Sequence, residues 1–237
     1  MWFATRARRG RRLVLLAPLA LLVVAAVACA VPDRLAVPVG QARQLVVVTS
    51  SSWSSTTGSL TTYEKVGTSW RTVRAGIPVR IGRNGFSARH HEGDGTTPAG
   101  SFPIVGVMGG QPDPGVRFPY HQLAPGDCWI SNSALPTYNT MVRASPCSSP
   151  NEDLFRIGAG AYRYAAITGY NMSPVVPGAG SAIFLHRNSY DGVGRSVPTS
   201  GCVSMSESDL LSVLRWLDPA AHPRVAMGPS AWLVLPA

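Results

Sequence analysis

Lysine occurs once in the 237 residues, at Lys65, and only 12 acids face 21 basic side chains, so nearly every positive charge is an arginine. We read that skew as the coding bias of a G+C-rich genome and not as chemistry. A basic stripe of the kind that tracks a phosphate backbone is missing. Five arginines (Arg6, Arg8, Arg9, Arg11, Arg12) crowd into the acid-free first twelve residues, and without them the formal charge of +9 falls to +4, spread thinly along the chain. That balance gives nucleic-acid binding no support and suits an anionic surface such as a cell envelope. Four cysteines are too few for a disulfide-built miniprotein, and an apolar content of 45% is enough for one sizeable core. The histidines (His90, His91, His121, His186, His222) lack the paired spacing of metal ligands, so neither metal nor cofactor is expected. A long helical period is absent from the first half, as is any internal repeat. With 24 glycines and 20 prolines, a helix bundle is disfavoured.

The arginine-rich tip is followed by an uncharged run, Leu13 to Val31, long enough for one membrane-crossing helix. Residues 1–31 are therefore expected to be a signal peptide or an N-terminal anchor, with everything after Pro32 outside the cytoplasm. Three fates remain open: cleavage near Ala26–Ala28 or Ala28–Ala30, lipid attachment at Cys29, or retention as an anchor. Membrane contact is expected only through this segment, and the chain is expected to be a monomer. Cysteine use agrees with export. Cys128 and Cys147 bracket a polar, proline-containing loop that a bridge would close, and they are expected to pair. Cys202 is then left as a lone thiol in an oxidising compartment, a liability unless it has a task.

Residues 32–58 read as a spacer and Ser/Thr-rich lead-in that includes a strand-like run, Leu45–Val48, and residues 59–237 read as the catalytic domain. Short alternating pieces such as Leu60–Tyr63, Trp70–Val73 and Val79–Ile81, separated by Gly or Pro, give a mainly β fold. The strongest helix is expected at about 206–217, where Ser206 caps, Asp209 reaches back to it, and Leu210, Val213, Leu214 and Leu217 recur at helical spacing before Asp218-Pro219. Val225–Met227 and Trp232–Leu235 read as closing strands. On this reading Cys202 lies on the segment entering the helix, where amides and the helix dipole favour a thiolate.

Chemistry concentrates between Ala182 and Met205. Ile183-Phe184-Leu185 reads as a buried strand delivering His186, and Thr199-Ser200-Gly201 delivers Cys202. A thiol nucleophile needs a nearby base and donors for the oxyanion that forms on the attacked carbonyl. His186 can be that base, and the Gly201 and Cys202 amides are candidate donors.

The stretch from His186 to Cys202, with Pro198-Thr-Ser-Gly-Cys-Val203, resembles the signature of the YkuD-type L,D-transpeptidases. Glu92-Gly-Asp-Gly-Thr-Thr-Pro-Ala-Gly-Ser-Phe102 resembles the upstream motif of the same family. The likeness spans about Leu60 to Gly228 and is greatest to the compact actinobacterial branch. It implies a mainly β, sandwich or barrel-like sheet with few short helices, and a peptidoglycan enzyme in the cell envelope. The thiolate attacks the bond between the diamino acid and D-alanine of a tetrapeptide stem. The acyl-enzyme then passes to an amine of another stem, giving a 3→3 cross-link, or to water, giving carboxypeptidase activity. By the same resemblance Cys202 is the nucleophile, His186 the base and later the acid, Gly201 and Cys202 the oxyanion donors, and carbapenems are acylating ligands.

Two positions depart from the family pattern: Ser200 stands where most members have histidine, and Val203-Ser204 where many have arginine. The substrate carboxylate is thus left without a partner, for which Arg187, Arg195 and Arg163 are candidates, while Tyr170 and Asn171 are candidate pocket residues. Glu92 and Asp94 read as turn chemistry and His90-His91 as an exposed polar cluster. Trp53, Trp70 and Trp129 read as packing before sugar stacking. The rival to the enzyme is a non-catalytic envelope-binding domain of the same fold.

Overall fold

The computed structural model describes residues 1–2 and 31–234. The expected leader at 1–31 and Cys29 therefore lie, but for Met1, Trp2 and Val31, outside the described residues, and no helix among those described is long and apolar enough to cross a membrane. The strands, in chain order, are β1 (Gln44–Ser50), β2 (Thr57–Val66), β3 (Ser69–Arg80), β4 (Phe86–Ser87), β5 (Thr97–Pro98), β6 (Gly100–Gly109), β7 (Tyr120–Gln122), β8 (Asp127–Trp129), β9 (Met141–Arg143), β10 (Glu152–Asp153), β11 (Ala165–Thr168), β12 (Phe184–Arg187), β13 (Val203–Met205) and β14 (Arg224–Pro229). The α-helices are α1 (Leu154–Gly158), α2 (Glu207–Trp216) and α3 (Ser230–Leu233).

The main sheet runs β11-β12-β13-β3-β2-β1-β14-β6-β7, and an additional β11–β6 pairing closes it into a barrel. Closure leaves β7 as an appended edge beside β6. The interior of this mainly β fold is filled by Val46, Val48, Leu60, Val79, Leu185, Val203, Val225 and Met227.

β1 corrects the expected boundary at residue 59. It pairs parallel with β14 and antiparallel with β2, so the lead-in is built into the barrel wall. The reason is visible in its composition. Val46 and Val48 face the barrel core, whereas Leu45 and Val47 join Tyr63, Trp70, Ala226 and Leu233 on the opposite face. A strand buried on both sides reads as one continuous apolar run instead of an alternating pattern.

α2 forms where expected. The Ser206 hydroxyl accepts from the Asp209 amide at 3.1 Å and donates to the Asp209 carboxylate at 2.6 Å, while Leu210, Val213 and Leu214 are buried. Of the expected strand at Trp232–Leu235, Trp232 and Leu233 belong instead to the helix α3, Val234 bridges to Leu35, and Leu235 lies outside the described residues. Trp232 packs edge-on against Trp53, with ring centroids 5.5 Å apart, and lies over Gly228, contacts that a flat closing strand would not make. The polar loop is closed as expected, Cys128 bonded to Cys147. With the residues that follow it, the loop forms a small sheet, β10-β8-β9, lying over the β11–β12 wall with Met108, Trp129, Leu154, Tyr162 and Phe184 packed between.

Candidate active site

Between the barrel wall and this added layer lies a cleft of about 450 Å3, lined by both expected catalytic side chains, Cys202 and His186. β12 and β13 are parallel neighbours with Leu185 opposite Val203, which sets Phe184 beside Cys202 and His186 beside Ser204. The parallel pairing brings residues distant in sequence to one end of the sheet.

Cys202 is buried and free of any disulfide. Its Sγ accepts from the Phe184 amide at 3.3 Å and donates to the Ala182 carbonyl at 3.2 Å, the pattern of a neutral thiol. Burial first, and then the Glu152 carboxylate, pushes its pKa up to about 12, against the opposing effects of the Phe184 amide and the Tyr162 hydroxyl. This overturns the expectation of a helix-promoted thiolate, because β13 intervenes between Cys202 and α2 and carries the cysteine away from the helix start. Ala182 holds φ +54°, a left-handed conformation that costs an L-residue about 1 kcal/mol. Its amide donates to Asn139 Oδ1 at 3.2 Å, which helps hold the backbone in that turn and its carbonyl at the sulfur.

His186 is buried, and its Nδ1 lies 2.7 Å from the Arg187 carbonyl. A carbonyl only accepts, so Nδ1 carries the proton and Nε2 keeps its lone pair. Burial lowers the pKa to about 4, which makes the ring a neutral acceptor at physiological pH. Tyr162 packs edge-on against both His186 and Phe184, with ring centroids 5.4 Å away in each case, and donates its hydroxyl to Glu152 Oε2 at 2.7 Å. Burial raises Glu152 to about 7.

The loop before the cysteine is tied into a ring. Thr199 Oγ1 accepts from the Gly201 amide at 3.1 Å and donates to the Cys202 carbonyl at 2.6 Å. Of the two expected oxyanion donors, the Gly201 N–H is engaged by Thr199, whereas the Cys202 amide has no hydrogen-bond partner among the described residues. Gly201 serves by its size, since a β-carbon there would lie 3.0 Å from the Thr96 carbonyl oxygen and 3.7 Å from His90 Cε1. Ser200 lines the cleft, its hydroxyl accepting from Arg83 Nη1 at 3.1 Å.

The Glu92–Phe102 motif forms the facing wall. Asp94 is turn chemistry, as expected, accepting from the Thr96 and His91 amides at 2.8 and 3.0 Å. Burial pushes its carboxyl up, but those bonds outweigh it and hold the pKa below the usual carboxylate range. The expected exposed cluster holds for His91 and fails for His90, whose side chain is only 5% exposed. His90 Nδ1 hydrogen-bonds Thr96 Oγ1 at 3.0 Å and lies 3.0 Å from Asp94 Oδ1, its ring meets Tyr170 edge-on, and burial lowers its pKa. A histidine thus faces the cleft from another motif, with serine at position 200.

The expected substrate residues do not converge on this cleft. Arg187 and Arg163 both pair with Glu207, at 3.1 and 3.2 Å, and Arg195 pairs with Asp191 at 2.9 Å. Tyr170 donates to the Ala179 carbonyl, and Asn171, at φ +51°, braces Val176 and Gly180, so both build the loop that supports the wall. Glu152, Tyr162, Arg83 and Asn139 also build the site, without any local sequence signal that singles them out. Asn139 accepts from Trp129 Nε1 at 3.1 Å and donates to the Tyr170 and Asn171 carbonyls at 3.0 and 2.8 Å. Among the described residues no cluster of three metal-ligating side chains occurs.

The model of the YkuD family, the L,D-transpeptidase catalytic domain, matches residues 47–226, and the chain belongs to that family. Among solved structures, it is similar to the helical cell shape determining protein Pgp2 from Campylobacter jejuni, at 14% identity and TM-score 0.43, over 81% of this chain and 50% of that one. It is also similar to Bd1075 from Bdellovibrio bacteriovorus, at 15% identity and TM-score 0.40, over 82% and 51%. The chain spans about half the length of each. No curated protein matches.

Proposed function

We propose that this protein is an exported cysteine acyltransferase that cross-links peptidoglycan stem peptides through Cys202. The observation that carries the reading is that a buried thiol and a histidine with its tautomer fixed line one cleft, inside a domain of the L,D-transpeptidase family.

The donor's carbonyl, between the diamino acid and the terminal D-alanine, enters beside Sγ. His186 Nε2 takes the thiol proton, and sulfur bonds to the carbonyl carbon. The oxyanion is met by the Cys202 amide. Imidazolium then returns the proton to the D-alanine nitrogen as the C–N bond breaks, which leaves a thioester. A side-chain amine of a second stem attacks this thioester, transfers its proton to His186 and restores the thiol. Because thiol and imidazole rest neutral, at about 12 and about 4, charge separates only when a carbonyl is in place to accept the electron pair. The thiol is thereby shielded from oxidation between turnovers. The Cys128–Cys147 bridge supports a location outside the cytoplasm.

The test is to incubate the full chain with a disaccharide-tetrapeptide and follow products by mass spectrometry. D-Alanine release with a dimer one D-alanine lighter than two stems is expected. Release of D-alanine with tripeptide alone would make water the acceptor and the enzyme a carboxypeptidase. No release would contradict the catalytic reading.

A further inference from the structure

The cleft holds one arginine among its lining residues, Arg83, and it is none of the three that the sequence offered. It follows β3 in a turn stitched to both walls. Its amide donates to the Thr199 carbonyl at 2.8 Å, and the next residue, Asn84, donates from Nδ2 to the Asp94 carbonyl at 2.7 Å. The guanidinium is seated as well. Nη1 donates to Ser200 Oγ at 3.1 Å and Nη2 to the Gly93 carbonyl at 3.4 Å. The group lies over Gly95, where a β-carbon would come 2.7 Å from Cζ.

No carboxylate pairs with Arg83 among the described residues, whereas Arg163, Arg187 and Arg195 are each held by one. The acids lining the cleft are otherwise engaged: Glu92 Oε2 accepts from the Tyr138 hydroxyl at 2.6 Å, and Glu152 Oε2 from Tyr162 at 2.7 Å. A positioned, exposed guanidinium with unused N–H groups, two residues from the nucleophile through Ser200, is built to receive a carboxylate.

We propose that Arg83 binds the terminal carboxylate of the acyl donor and that Ser200, in place of the family's histidine, orients its guanidinium. The inference rests on the acyltransfer reading above and names how that site selects its donor. An acid-terminated stem is gripped at its leaving group. A stem ending in an amide is not.

The test compares release of D-alanine from a tetrapeptide stem with release of D-alaninamide from the same stem amidated at its C-terminus, using the full-length wild type, Arg83→Gln and Arg83→Lys. The wild type is expected to prefer the acid by about 10- to 100-fold in kcat/KM, the range lost with one charge-assisted contact. Arg83→Gln brings the acid-to-amide ratio close to one, chiefly through KM, and Arg83→Lys retains part of the preference. Equal loss on both donors would assign Arg83 a structural role and overturn the inference, as would an unchanged ratio. A wild type that releases neither product fails at the level of the acyltransfer reading, and the inference falls with it. An active wild type with an indifferent Arg83 sinks the inference alone.

Discussion

Cys202, His186 and Glu152 each carry a proton balance set mainly by burial, and they pull stability in opposite pH directions. A histidine lowered to about 4 disfavours the fold as pH falls below its ordinary value near 6.5. A carboxyl raised from 4.5 to about 7 favours the fold while protonated, and that contribution is lost as pH rises through 7. Replacing Glu152 by Gln keeps an acceptor for the Tyr162 hydroxyl and removes the buried charge. The variant is expected to be more stable than wild type at pH 8 by roughly 1–3 kcal/mol, reduced from the full linkage value because the carboxyl faces the open cleft, and equal to it at pH 4.5. Thermal unfolding at the two pH values checks this. A gain of the same size at both would show that charge is not the cause.

Legibility was greatest where adjacent residues specify an element, whereas side chains placed by contacts across the fold left little trace. β12 and α2 are specified by adjacent residues, Ile183 to His186 in one case and Ser206 with Asp209 in the other. His90 gave no sign of burial because its partners, Tyr170 and the Gly180 and Gly201 backbones, come from loops far along the chain. Asn139 looked like any polar loop residue, yet it is 1% exposed and joins the disulfide-closed loop to Ala182 and the Tyr170–Asn171 turn. Arg83 and Glu152 were missed for the same reason, since contact across a cleft leaves no periodicity in sequence. The two kinds of residue should differ in cost. Ser206→Ala removes one exposed-end cap and is expected to lose about 1 kcal/mol. Asn139→Ala strands several buried polar groups and is expected to lose roughly 2–4 kcal/mol. Urea unfolding of both variants tests the order, and a larger loss at Ser206 would contradict it.

The closed barrel supplies a rigid wall, and the layer bridged by Cys128 and Cys147 supplies the lid of chain that turns this wall into a cleft. Its two cysteines lie 19 residues apart, so removing the bridge with a Cys128→Ser, Cys147→Ser pair is expected to cost about 3 kcal/mol through the loosened unfolded chain. Because Asn139, Trp129 and Glu152 all sit in or against that layer, activity is expected to fall before the barrel melts. Activity and near-ultraviolet circular dichroism followed together through thermal unfolding would show two transitions, whereas a single one would contradict the layered account.

The central claim is that Cys202 is an acyl-accepting nucleophile. Intact mass of the full chain before and after incubation with a carbapenem, beside Cys202→Ala and His186→Ala, tests it most directly. One covalent adduct is expected on the wild type, none on Cys202→Ala, and a greatly slowed adduct on His186→Ala. An unmodified wild type, with Cys202 no more reactive than an ordinary buried thiol, would contradict it.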